Sequence, residues 1–138
     1  MIVGKILEYN NAIKSIIDNA GDVSSLAKFK LLGILKQFEP VEKNVEQMRN
    51  ELIQKYGKAY EDGSFGIKEP KRENFENDEE YDATYTEFEE AFKGYTSELE
   101  AILNSESDIK ITKFKYDEII GVGIPADYLV VLYDLIEE

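Results

Sequence analysis

The sequence has no cysteine, no histidine and no tryptophan, and only three prolines among its 138 residues. Without cysteine there are no disulfides, no thiolate metal sites and no thiol nucleophile, and the chain carries no mark of a redox compartment. Without histidine the commonest general base, the Ser/His and Cys/His nucleophile pairs and every imidazole metal site are excluded. Long apolar runs are missing as well, and none approaches the roughly 20 residues of a membrane span. The first residues lack a secretory pattern, because Ile2 to Leu7 is interrupted by Gly4 and Lys5 and followed by Glu8, Asn10 and Asn11. A cytoplasmic protein is the expectation that follows.

What is present is an apolar chain under a large charge. The hydrophobic fraction is 43%, with nine Tyr and seven Phe, which is too apolar for a disordered segment despite a net charge of -13. The length suits one domain, so residues 1–138 are expected to form a single helical domain. The charge is unevenly placed: residues 1–60 carry +2, residues 61–100 carry -10 and residues 101–138 carry -5. Such a chain repels nucleic acid and anionic membrane and attracts basic protein surfaces.

Hydrophobic periodicity predicts a mainly α protein. Ile2, Val3, Ile6, Ile13, Ile16 and Ile17 lie on one helical stripe that stops at Asn19-Ala20-Gly21. Asp22, Ser24 or Ser25 then caps a second helix, predicted over about 22–56 and closed by Gly57 as a helix cap. Within it Leu31, Ile34, Phe38, Val41, Val45, Met48 and Leu52 repeat at intervals of 3 and 4, a heptad seam that runs through Pro40. The unbroken register favours one helix bent at the proline over two helices. Additional apolar residues before Pro40, Leu32 and Leu35, widen the stripe, so that half is expected to pack on more than one neighbour.

Residues 58–76 read as an insertion with a hairpin turning at Glu61-Asp62-Gly63-Ser64. Asn77 with Glu80 forms a capping-box pattern, so a third helix is predicted over about 77–103. Its seam is Tyr81, Tyr85, Phe88, Phe92, Tyr95, Leu99 and Ile102, again at intervals of 3 and 4. The expected architecture is therefore an antiparallel pair of long heptad helices, 22–56 against 77–103, with Met48 and Leu52 beside Tyr81 and Tyr85. N- and C-terminal helices pack on the pair. Ile109 and Ile111 alternate as a short strand would, with residues 65–67 as the expected partner, and Ile124-Pro125-Ala126-Asp127 opens a last helix.

The chemistry-bearing patterns are few. Between Asp78 and Leu103 there are nine carboxylates against Lys93 alone. The bland reading is a solvated face, and the functional one is a surface for a basic partner, carried by Asp78, Glu79, Asp82, Glu87, Glu89, Glu90, Glu98 and Glu100. Helical spacing scatters these groups around the rod, which disfavours a hard-cation site. The Tyr81–Tyr95 stripe reads as packing rather than a base-stacking platform, since single-strand binders pair aromatics with a positive groove. Asp108-Ile109-Lys110 matches half of a metal-dependent nuclease motif but lacks its preceding acid, and Gly121-Val122-Gly123 lacks the third glycine of a dinucleotide loop.

The order of these features resembles a small family of proteins of unknown function encoded by phages and prophages of Firmicutes, of lactococcal type. The points of similarity are Glu8-Tyr9-Asn10 in an N-terminal helix, a long helix closing on Glu51-Leu52-Ile53-Gln54-Lys55-Tyr56-Gly57, Glu61-Asp62-Gly63 with a following strand, the Ile109, Ile111 strand, and an ending from Ile124-Pro125-Ala126-Asp127 to Ile136-Glu137-Glu138. The resemblance spans most of the chain. It implies a phage-encoded protein without known catalysis and transfers no functional residue.

Together these readings lead to a non-enzymatic protein that works by binding another protein, an assembly component or host factor, in a bacterial cytoplasm. It would use no cofactor, metal, membrane or direct nucleic-acid contact. The alternative is an acidic mimic of nucleic acid that blocks a host nuclease or DNA-binding defence protein. Heptad seams pair within one chain or between chains, so a homo-oligomer stays open.

Overall fold

Proline at position 40 does not stop the second helix. The computed structural model describes residues 1–19, 21–119 and 121–137, so Ala20 and Glu138, named in the expectations above, lie outside the described residues. In chain order the elements are α1 (Val3–Asn19), α2 (Ser25–Tyr56), β1 (Lys58–Ala59), β2 (Phe65–Gly66), a 3₁₀ turn (Arg72–Asn74), α3 (Asp78–Leu103), α4 (Tyr116–Ile119), α5 (Ala126–Leu132) and a second 3₁₀ turn (Tyr133–Leu135). The protein is mainly helical with one small antiparallel sheet, as the periodicity predicts. Packing divides it into two compact units, Met1–Lys43 with Asn104–Glu138, and Asn44–Leu103.

The first unit holds most of the deeply buried side chains. Ile6, Tyr9, Ile13 and Ile16 of α1 meet Ala27, Leu31, Ile34 and Phe38 of α2, with Phe114, Ile119, Ile124, Leu132 and Leu135 closing the core. The Ser24 Oγ accepts the Ala27 N–H at 3.2 Å, which starts α2 by N-capping as expected. The isolated bridge of Ile2 with Glu106 ties the later segment to the earlier one, and that of Phe114 with Ile136 closes the later segment on itself. Val122 accepts the Ser24 N–H at 3.1 Å. Gly123 has φ +92, and a Cβ there would strike the backbone carbonyl of Asp22.

The Ile109 and Ile111 segment forms no strand with residues 65–67, contrary to expectation. β2 pairs with β1 instead, Lys58 opposite Gly66 and Ala59 opposite Phe65. Ile109 and Ile111 lie half-buried against the first unit's core, and two of the segment's N–H groups find side-chain acceptors. Ser107 Oγ accepts the Ile109 N–H at 3.2 Å, and Gln37 Oε1 accepts the Thr112 N–H at 3.1 Å. Alternation over so few residues reports burial of one face, not a ladder.

In the second unit α2 and α3 run antiparallel, in a register other than the expected one. Lys55 reaches Glu98, the Tyr56 ring lies on Gly94, and Lys58 reaches Glu87. Continuing this direction takes Leu52 and Met48 toward Leu103, away from Tyr81 and Tyr85. The reason is the segment 58–76, which runs beside the first half of α3 instead of closing a tip. Gly57 ends α2 but has no positive φ. Glycine is needed because a Cβ there would sit 2.5 Å from the Ile53 carbonyl oxygen and 2.9 Å from that of Gly66.

Two substitutions test this packing. Phe38 is fully buried, so Phe38→Ala should destabilise by about 3–5 kcal/mol in denaturant unfolding. Gly123→Ala forces both a positive φ and a backbone collision, and should lower the melting temperature more than Gly63→Ala, whose turn has open space.

Candidate functional site

α3 begins where the sequence says it should: the Asn77 Oδ1 accepts the Glu80 N–H at 2.9 Å. Asp78, Glu79 and Glu80 occupy the first turn, where the positive helix end favours them. Beyond that the helix departs from expectation, for none of its 26 residues is buried. Its aromatic stripe is therefore not a closed core. It stacks on itself as a ladder, Phe75 on Tyr81, Tyr81 on Tyr85, Tyr85 on Phe88 and Phe88 on Phe92, with centroids 5.6 to 5.7 Å apart. The lower rungs are half-buried, and the last, Phe92, is 51% exposed. The heptad pattern places these rings on one face, but the face is left partly open, with Phe92 in solvent.

The eight carboxylates singled out from the sequence separate into three groups. Asp78 accepts from Arg72 Nε at 2.7 Å. Glu87 and Glu98 turn toward the hairpin and α2, Glu87 lying 3.9 Å from the Lys58 ammonium and Glu98 taking Lys55 at 3.0 and 3.1 Å. Hydrogen bonds from Tyr56 first and Lys55 second hold the Glu98 carboxyl below the usual range. The other five, Glu79, Asp82, Glu89, Glu90 and Glu100, are exposed and make no ion pair among the described residues, and Glu80 joins them. Intervals of 4, 7 and 11 residues put Asp78, Asp82, Glu89 and Glu100 on one flank of the helix, beside the aromatic ladder.

A cleft of about 980 Å³ opens between the hairpin segment and the inner face of α3. Tyr56, Tyr60, Phe75 and Phe88 supply its rings, and Lys58, Lys68, Glu61, Asp62 and Glu87 its charges. Most of those charges are already engaged. The Lys68 ammonium reaches Asp62 at 3.4 Å and the Ser64 hydroxyl, and stands 4.9 Å above the Tyr60 ring. Asp62 is pulled down to about 2 by the Ser64 hydroxyl and N–H, and secondarily by Lys68. These contacts shape the hairpin, with the Ser64 hydroxyl donating to Asp62 at 2.5 Å. The sequence reading missed this wall, although the Tyr60, Phe65 and Phe75 rings among turn residues were its visible trace.

Asp108 and Lys110 are both exposed. No group of three acids fit to hold a metal ion occurs among the described residues, and no helix is long and apolar enough to cross a membrane. No protein family, curated protein or solved structure matches the chain.

One polar cluster lies in the first unit. The Tyr9 hydroxyl donates to Asp134 at 2.8 Å, and Asn10, 2% exposed, donates to Glu42 at 2.6 Å beside Lys14 at 2.7 Å. Burial first, then the Asp134 hydrogen bond and charge, push the Tyr9 phenol up to about 12. A folded pKa above the unfolded value of about 10 means stability complete below pH ~10 and lost as pH rises through about 12. Alkaline titration followed by phenolate absorbance should therefore show a late-ionising tyrosine that is absent from Tyr9→Phe.

Proposed function

We propose that the chain is a non-enzymatic, phage-encoded protein of the bacterial cytoplasm that acts by binding a protein with a basic surface, through the outer flank of α3. The observation that carries this reading is the combination on one helix of six unpaired carboxylates and an aromatic ladder ending in exposed Phe92. Water alone solvates those charges at no cost, but it does not explain a large ring, Phe92, left open beside them. A cationic partner with an apolar centre satisfies both, and the charge would speed its approach. The absence of histidine and cysteine and the engaged charges of the hairpin cleft fit a binding role better than a catalytic one.

The alternative is nucleic-acid mimicry, favoured by the row of acids on one flank. The two readings differ in what the rings do, because a mimic binds by charge alone. Immobilised protein should retain a basic partner from host lysate and release it as salt rises. The triple change Asp82→Asn, Glu89→Gln and Glu100→Gln should weaken retention roughly tenfold or more. Phe92→Ala should weaken it too under the favoured reading and leave it unchanged under mimicry. Retention indifferent to both variants, with turnover in an activity screen, would reverse the proposal.

A further inference from the structure

The first half of α2 is apolar on two sides, and the fold uses one. Ala27, Leu31, Ile34 and Phe38 face the core of the first unit. On the opposite side Leu26 is 70% exposed, Phe29 71% and Leu32 45%. Single exposed hydrophobics need no explanation, but three on successive turns of one helix form a patch. As the widened stripe predicts, this half of α2 packs on more than one neighbour, α1 and the segment around Phe114, Ile119 and Ile124, and Leu26, Phe29 and Leu32 lie outside both contacts.

We infer that this patch is a self-association surface and that its occupant is the outer flank of α3 from a second copy of the chain. The inference rests on α3 being a protein-binding face and names its partner. Charge decides among the pairings. Residues 25–38 carry Lys28, Lys30 and Lys36 and no acid. Lys28 and Lys36 make no ion pair among the described residues, while Lys30 engages Glu118 at 3.6 Å. Pairing this patch with itself sets lysines against lysines, and pairing α3 with itself sets a charge of -8 against its equal. Patch against α3 is attractive.

The apolar parts agree with the charges. Phe92 ends the ladder in solvent beside Glu89. Gly33 lies between Leu26, Phe29 and Lys36 on the patch, with open space above it that would admit a ring. Lys30 and Lys36 flank that gap as Asp82, Glu89 and Glu100 flank the ladder. Each copy carries both halves of the contact, so association either closes reciprocally or continues from copy to copy.

Sedimentation of the full chain across a concentration series tests this, with the Phe29→Asp and Phe92→Asp variants run alone and mixed in equal amounts. Both positions are solvent-exposed, and circular dichroism checks that the variants fold. The wild type should sediment above the monomer mass of 15.8 kDa, less so at high salt. Either substitution should weaken association roughly thirtyfold. The mixture should regain a one-to-one complex, because one variant keeps an intact α3 flank and the other an intact α2 patch. A wild type that is monomeric throughout overturns the inference, as does association that survives either substitution. Assembly of the wild type with none in the mixture also overturns it, and a Phe92→Asp variant that still associates alone points to patch-on-patch pairing. If the wild type is monomeric while lysate capture still depends on Asp82, Glu89 and Glu100, only the second copy is excluded. Loss of both removes the reading of α3 as well.

Discussion

A proline inside a helix removes one N–H and crowds the carbonyl four residues earlier, at a cost of about 3 kcal/mol. α2 meets that cost at Pro40 and continues to Tyr56. Buried side chains stand on both sides of the defect, Ile34 and Phe38 before it and Val45 after it. Each contributes on the order of 1.5–3 kcal/mol by leaving water. Pro40 and Lys36 are exposed, so water can bond the orphaned carbonyl. Continuity through Pro40 gives one 32-residue helix a role in both compact units, whose boundary falls between Lys43 and Asn44.

That continuity also divides the heptad seam. Leu31, Ile34 and Phe38 belong to the first unit's core, leaving Val45 and Leu52 as the buried apolar side chains described in the second. A helix with no buried residue must be held by weaker means. Aromatic pairs contribute about 0.5–1.5 kcal/mol each beyond their burial, and exposed ion pairs such as Lys55 with Glu98 about 0.2–1 kcal/mol. Close approach of the Tyr56 ring to Gly94 adds packing that a side chain at position 94 would block. Segments held this way open locally at lower free energy than a core, a property shared by many binding surfaces.

The local signals in the sequence were reliable because they are short-range physics. The register across Pro40, the Asn77 cap, the turn at Gly63 and the helix start near Pro125 each depend on neighbours within a few residues. Periodicity, however, says which residues share a face and not what lies opposite. Two seams of equal length read as partners, whereas α1 had already claimed half of the first. The carboxylates were legible as residues and as charge, but not in their pairing. Arg72, Lys58 and Lys55 withdraw Asp78, Glu87 and Glu98 from the surface row through contacts 6, 29 and 43 residues away in sequence.

The remaining row has a consequence for energetics. On α3 Glu79 and Asp82 stand three residues apart, and two carboxylates already engaged elsewhere stand close to the row, Asp78 four residues from Asp82 and Glu87 three from Glu90. Like charges at these spacings each oppose the helix by a few tenths of a kcal/mol. The Asn77 cap, the acids of the first turn at the positive helix end and the ring-on-ring contacts offset that strain. A cationic surface laid on the flank would relieve the repulsion while covering Phe92, so binding and local stability are linked: whatever binds the folded helix better than the open one also stabilises it. The carboxylates that weaken α3 in isolation are thus the same groups that would supply its affinity. Solubility alone needs the charge but not its concentration on one helix beside the exposed Phe92 ring.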